Sequence, residues 1–288
     1  MLKVKVIKPG IFTSVQDGGR NGYAFYGIPV SGFMDRESAE IANILVGNKK
    51  TATLIEMHHI GGTFTFSEDC VIAITGANMQ PVLNLVTCKM YQTLLVKKGA
   101  TLQFKNALSG VRTYLAIKGK WDIPRVYGST ATYTYAGMGG FRGRTLQAKD
   151  IINIKNKMEV KKTPTVVWPD LINYLMISEI EIAKGPEFSF LKNGEQLFSS
   201  FKISPSSDRM GAILEGPIID IQLQDSFRSK FLFPGMIQCT PSGKLIVVLQ
   251  DGQSTGGYPR VGVIPKHELN RFNQLQPSQS FELIKKTS

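Results

Sequence analysis

Short runs of Val, Ile, Thr and Phe, cut again and again by Gly, Pro, Asn and Asp, constrain this chain more than any other feature. Cys70–Thr75, Leu94–Val96, Thr101–Phe104, Thr113–Ile117, the residues around Ile203, Ile218–Leu223, Leu245–Leu249 and Phe281–Ile284 each have the length and composition of a strand. Many short strands with frequent turns point to a mainly β fold of barrels or sandwiches with a few short helices. The best helical pattern is Asp35–Val46. Ser31 or Asp35 offers a cap, Ala39, Ala42 and Leu45 give an apolar face, and Gly47 is a stop. Further short helices are expected over His267–Leu275 and Pro169–Leu175.

At 288 residues and 42% hydrophobic, the chain can build two domains. The seam is expected in the polar, Lys-rich stretch from Asn153 to Pro169, dividing residues 1–160 from 161–288. A chain crossing between the halves would break that simple division. The Lys155, Lys157, Lys161 and Lys162 cluster in this stretch reads as a solvated linker. The start of the chain alternates apolar and basic residues through Ile7, which predicts an edge-type strand and not a signal peptide. No run approaches the ~20 apolar residues of a membrane helix. The expected setting is the cytoplasm, with no membrane partner.

Net charge is +12, from 34 basic and 22 acidic residues. That favours an anionic substrate or an acidic partner protein. No nucleic-acid-binding motif is present, so no nucleic-acid partner is expected. Cys70, Cys88 and Cys239 are too far apart for a metal pair or a disulfide framework, although Lys89 beside Cys88 would lower that thiol's pKa. His58 and His59 follow Glu56 in a strand, and no third metal ligand is evident. HExxH, CxxC, GxSxG and the Rossmann glycine set are all missing.

Four polar, Gly-rich clusters remain. The first joins Gln16, Asp17 and Arg20 to Ser31, Met34 and Asp35 near a helix start, where an anion is favoured, or where the residues simply cap and turn. The second, Gly139, Gly140, Arg142 and their neighbours, suits a backbone nest for a phosphate or carboxylate, or a charged loop. The third holds Ser207, Asp208, Arg209, Met210 and Glu215, whose charges can also pair among themselves. The fourth follows the apolar run Leu245–Leu249 and holds Gln253, Thr255, Gly256, Gly257, Tyr258 and Arg260. It reads as a ligand-presenting strand end or as a tight turn between core strands. Gln16-Asp17-Gly18 is echoed by Gln250-Asp251-Gly252.

Taken in order, the segments GIFTSVQDGGRNGYAFYGIPVSGFMD, IANILVGN, AITGAN, GVRTYLAIKG, AGMGGFRGR, SSDRMGAILEGP and GMIQCTPSGKLIVVLQDGQSTGGYPRVGVI resemble the carboxyltransferase-type family. That family includes allophanate hydrolase subunit 2-like proteins, the carboxyltransferase part of urea carboxylase, and the C-type subunit of the ATP-dependent 5-oxoprolinase. The resemblance implies two cyclophilin-like β-barrel domains. It also implies work in a complex with a small B-type subunit of related fold and a TIM-barrel-like A-type subunit, opening the 5-oxoproline lactam to glutamate with ATP, with Mg accompanying it. An alternative implied activity is biotin-dependent carboxyl transfer to a urea-like amide. This chain has no Met-Lys-Met biotin-carrier motif, so biotin would arrive on a partner. A third is a regulatory protein that antagonises a kinase inhibitor.

Carried onto this sequence, the resemblance makes Arg209 and Arg260 anion ligands and Asp17 or Asp35 a polariser or proton acceptor. Gln253 and Thr255 would orient a substrate amide. Gln16, Arg20, Ser31, Met34, Ser207, Asp208, Met210, Glu215, Gly256, Gly257 and Tyr258 would line the substrate site, and Gly139, Gly140 and Arg142 a cofactor. Pro81–Tyr91, Asp251-Gly252-Gln253 and Arg228–Phe233 depart from the family pattern, which bears on loop shape and substrate choice.

Overall fold

The structure is a computed structural model that describes residues 1–155, 174–222, 228–277 and 279–286. Two compact units emerge. The first holds Met1–Arg20 and Ser31–Asn173; the second holds Asn21–Val30 and Tyr174–Ser288. The expected boundary at 160/161, the Lys157, Lys161 and Lys162 cluster and most of the expected Pro169–Leu175 helix lie outside the described residues.

The first unit contains β1 (Leu2–Lys8), β2 (Phe12–Gln16), β3 (Leu54–His58), β4 (Thr63–Phe66), β5 (Cys70–Gly76) and β6 (Val82–Leu83). It continues with β7 (Val86–Thr87), β8 (Thr93–Val96), β9 (Thr101–Gln103), β10 (Arg112–Ile117), β11 (Lys120–Trp121) and β12 (Ile151–Lys155). They form a seven-stranded sheet, β11-β12-β1-β4-β9-β6-β7, and a five-stranded sheet, β2-β3-β10-β5-β8. The period-2 pattern decides what lies between them. Leu2, Val4, Val6, Phe64, Phe66, Leu102 and Ile154 from one sheet share a core with Val15, Ile55, Met57, Ile72, Ile74 and Leu115 from the other. The first strand is not at an edge: β1 pairs with β12 on one side and β4 on the other. Its alternating lysines reflect a solvated face, which says nothing about whether the backbone is paired.

Helix α1 (Arg36–Leu45) covers the outer face of the five-stranded sheet. Ala39, Ala42 and Leu45 pack with Val71, Ala73, Tyr114 and Ala116. Asp35 is its N-cap and accepts from the Ser38 N–H at 3.1 Å, and Gly47 follows the C-cap in the left-handed region at φ 74°.

In the second unit, β13 (Glu179–Lys184), β14 (Ser200–Ile203), β15 (Gly211–Glu215), β16 (Lys230–Phe231), β17 (Met236–Cys239) and β18 (Leu245–Val248) come first. Then follow β19 (Thr255–Gly256), β20 (Arg260–Val263), helix α2 (Lys266–Phe272) and β21 (Phe281–Lys285). A closed barrel runs β13-β20-β17-β18-β15-β14-β21, shut by the parallel pair β21–β13, while β16 and β19 form a separate ribbon. Closure leaves no ladder edge to protect. Ile218–Gln222, the described part of the expected Ile218–Leu223 strand, forms no ladder. Ile219 donates to the Gly243 carbonyl and Gln222 to that of Phe190, and Ile221 makes a single bridge with Leu191. Pro217 has no N–H to start a ladder there.

Candidate functional site

In the first unit, strand register assembles a buried polar row. Ser14 lies opposite Glu56, Glu56 opposite Tyr114, and Tyr114 opposite Thr75 across β2, β3, β10 and β5. The row crosses the face that carries α1, and the N-terminus of the helix meets it. The Met34 N–H donates to Glu56 Oε2 at 2.9 Å and the Asp35 N–H to Tyr114 Oη at 2.7 Å. The Thr75 hydroxyl donates to the Ser38 carbonyl at 2.6 Å. Burial, then the nearby Glu56 and Asp35 charges, pushes the Tyr114 phenol well above its usual range, so it stays protonated.

The loop after β2 lies beside this row. Asp17 is buried, and its carboxylate accepts from the Gly19 N–H at 2.9 Å, the Ser129 hydroxyl at 2.5 Å and the Thr130 N–H at 2.7 Å. Arg20, also buried, donates to the Ala131 carbonyl. The chain returns at Ser31–Phe33 onto the same loop, with the Phe33 N–H on the Asp17 carbonyl. A Cβ on Gly32, at φ 85°, would sit 2.6 Å from that carbonyl, so the close approach needs glycine.

Gln16 Oε1 and Ser31 Oγ are buried in this cluster and find no hydrogen-bond partner among the described residues. The Gln16 amide donates its N–H groups to Ser14 Oγ at 2.9 Å and to the Thr132 carbonyl at 3.3 Å, which fixes the orientation of the amide and leaves Oε1 without a donor. Ser31, held at φ 54°, has an unpartnered Oγ. Buried polar atoms left in this way are rare and costly, and each calls for a partner such as a water, an ion or a ligand.

Gly139 and Gly140 join this set. A Cβ on Gly139 would collide with the Arg20 guanidinium, and one on Gly140 with the Thr132 side chain. Their role is to let the loop pack on the Ser129–Thr132 segment. The Gly140 N–H donates to the Thr130 carbonyl at 2.9 Å and the Gly143 N–H to that of Gly139 at 2.7 Å. These N–H groups are therefore turned onto backbone and do not form the expected phosphate nest. Arg142 is exposed, with its guanidinium 5.3 Å from the centre of the Phe141 ring.

In the second unit the loop between β14 and β15 meets the loop after β18. Asp208 closes the first with the Met210 N–H at 2.7 Å, and Ser207 Oγ accepts from the Ile213 N–H at 3.0 Å. Leu249 and Asp251 donate their N–H groups to the carbonyls of Met210 and Arg209. Arg209 is buried and forks onto Asp251, with contacts of 2.8 and 3.3 Å. Glu215, at the far end of β15, is exposed, so the Asp208–Arg209–Glu215 network allowed by the sequence gives way to an Arg209–Asp251 pair.

Arg260 is held in the same way. Glu187 takes its Nε and Nη2 at 2.8 and 2.7 Å, and the Phe231 carbonyl takes Nη1 at 3.0 Å. This fork, outweighing the effect of burial, holds the Glu187 carboxyl below its usual range. Both arginines expected to bind an anion thus already carry a carboxylate. Gln253, Thr255, Gly257 and Tyr258 are exposed, and Gly256 pairs with Lys230 in the β16–β19 ribbon.

Glu56, Tyr114, Ser129, Thr130, Glu187 and Asp251 escaped sequence reasoning as site residues. Their signal was a lone polar residue inside an apolar strand for Glu56 and Tyr114. Asp251 carried the Gln-Asp-Gly echo, and the other three gave none that a single sequence reveals. Burial raises the Cys88 thiol, against the expectation from Lys89, and pushes Cys70 to about 12 and Cys239 to about 11. His58 and His59 stack at 4.2 Å, and among the described residues no group of three or more His, Cys, Asp or Glu could hold a metal. No helix among the described residues is long and apolar enough to cross a membrane.

Comparison with known proteins agrees with this architecture. The model of the carboxyltransferase domain, subdomains A and B, matches residues 26–285. The chain is 33% identical to the C-type subunit of 5-oxoprolinase from Escherichia coli, over 98% of this chain and 90% of that protein. It is 31% identical to the urea amidolyase of Saccharomyces cerevisiae, but over only 16% of that much longer protein. The crystal structure of the K. lactis urea amidolyase superposes with a TM-score of 0.89 at 29% identity, covering 99% of this chain and 19% of that one. The chain belongs to the carboxyltransferase-domain family of subdomain A and B type.

Proposed function

We propose that this chain is the C-type subunit of an ATP-dependent 5-oxoprolinase and that it holds the lactam while the complex opens it to glutamate. Near full-length identity to a subunit of that name supports the assignment. The observation that carries it chemically is the pair of orphaned atoms in the first unit, Gln16 Oε1 and Ser31 Oγ. A lactam offers one N–H and one C=O. Gln16 Oε1 accepts from the N–H, and the Ser31 hydroxyl donates to the carbonyl oxygen, where negative charge grows as the carbonyl is attacked.

A lactam carbonyl is a poor electrophile, and ATP would supply the activation. The Gly139–Arg144 loop does not fit a phosphate cradle, because its Gly140 and Gly143 N–H groups are engaged by backbone. In this reading the ATP-dependent step belongs to the assembly with a related B-type subunit and a TIM-barrel-like A-type subunit. The alternative, carboxyl transfer to a urea-like amide from biotin on a partner, draws on the TM-score of 0.89 to the K. lactis urea amidolyase. The same two atoms would serve a urea amide equally well.

The test is to tag the chain in its host, recover its partners, and assay the eluate for glutamate from 5-oxoproline and ATP. Glutamate that disappears with S31A supports the reading. A biotinylated partner with no glutamate overturns it in favour of carboxyl transfer.

A further inference from the structure

A cavity of about 570 Å³ opens in the first unit around Lys49, Lys120, Trp121, Arg125 and the hydroxyls of Thr53 and Thr130. Its lining carries three cations and no carboxylate. Lys49, Lys120 and Arg125 are all exposed, and none forms an ion pair among the described residues. Among the described residues their charged groups make one hydrogen bond, from Arg125 Nη1 to the Gly128 carbonyl at 2.8 Å. The register of β11 on β12 places Lys155 opposite Lys120, which adds a fourth positive charge nearby. Like charges gathered without counter-charges repel one another, and an anion relieves that repulsion.

Trp121 is the second, independent observation. It lines the cavity at 7% exposure, and its indole N–H is buried with no acceptor among the described residues. An indole nitrogen is a donor only, so nothing but an acceptor satisfies it. The C-terminal end of α1 also reaches the cavity through Gly47 and Asn48, and its dipole would oppose an anion. That opposition is blunted. The carbonyls of Asn43, Ile44 and Leu45 are capped by the Asn48 and Gly47 N–H groups and by the Thr93 hydroxyl.

We propose that this cavity binds a small multivalent anion of the phosphate or carboxylate class. Lys49, Lys120 and Arg125 draw it in, and the unpartnered Trp121 indole N–H supplies a donor. The cavity borders the loop that Asp17 holds, through Thr130, but the argument for it does not depend on the lactam reading.

The full chain, labelled with ¹⁵N-indole tryptophan, is titrated with sodium pyrophosphate and separately with citrate, at low and high NaCl. W121F identifies the Trp121 signal. The site predicts a saturable shift of that signal with one or both probes, weakened by salt. It also predicts at least a roughly ten-fold loss of affinity in K49E/K120E/R125E, whose melting temperature without ligand stays that of the parent. The probe that binds tells phosphate from carboxylate. Absence of a shift with both probes at millimolar concentration overturns the site, as does a triple variant that binds like the parent.

Discussion

Single side chains in this molecule divide into those that hold loops and those left waiting for a partner. Asp17, with three donors on its carboxylate, holds a loop. So do Arg209 with Asp251 and Arg260 with Glu187. Ser31 is different, because its buried hydroxyl makes no hydrogen bond among the described residues. S31A therefore leaves the melting temperature unchanged or slightly raised, yet lowers turnover of the assembled complex; a large fall in stability would make Ser31 structural. Asp251 gives the opposite outcome. D251N leaves a buried guanidinium without its counter-charge and costs about 3 kcal/mol by urea unfolding.

The Glu187 carboxyl adds a pH dependence whose sign follows from its lowered pKa. Its stabilisation is present in full above the ordinary carboxylate range. It is lost as pH falls through the lowered value, because the folded state then takes up its proton later than the unfolded chain does. E187Q removes that part of the acid limb, which pH-dependent unfolding of the parent and the variant measures.

At the scale of elements, the helix that reaches the polar row depends on one cap. D35A deletes the acceptor for the Ser38 N–H and costs about 1 kcal/mol of stability, while D35N retains most of it; equal loss in both variants would assign Asp35 a role beyond capping. Much of this element was legible: the Asp35 cap, the Ala39–Ala42–Leu45 face and the Gly47 stop all follow from local rules, and α1 obeys them. Strands Cys70–Gly76 and Arg112–Ile117 were legible for the same reason, since their runs are apolar and bounded by turns. The described residues of the expected Ile218–Leu223 strand form no ladder because composition cannot tell extended chain from a paired strand, and only a neighbour with the right register makes the ladder. The site was legible in Gln16, Asp17, Arg20, Ser31, Met34 and Asp35. It was illegible in Glu56 and Tyr114, whose meeting depends on register between β3 and β10, and in the Glu187 and Asp251 partners of the two arginines.

Across the whole molecule, two β units carry two polar sets of opposite character. In the first unit a buried row of hydroxyl, carboxylate and phenol ends at two orphaned atoms suited to an amide. In the second, bidentate ion pairs brace the loops of a closed barrel, and Gln253, Thr255 and Tyr258 stand exposed beside them. The repeated Gln-Asp-Gly marks the same device twice. Gln16 ends β2 and Gln250 lies just beyond β18, and in each case the following aspartate is a buried carboxylate that holds a loop distant in sequence. One set suits recognition of a small amide, and the other suits a fixed surface for the partners that the proposed activity requires.

The measurement that bears most directly on this account is glutamate release from 5-oxoproline by the complex assembled on this chain, with and without ATP, and with S31A in place of the parent. The account predicts ATP-dependent glutamate from the parent complex and a loss of about ten-fold or more in the S31A complex, with its assembly intact. An assembled parent complex that forms no glutamate, or an S31A complex as active as the parent, would contradict it.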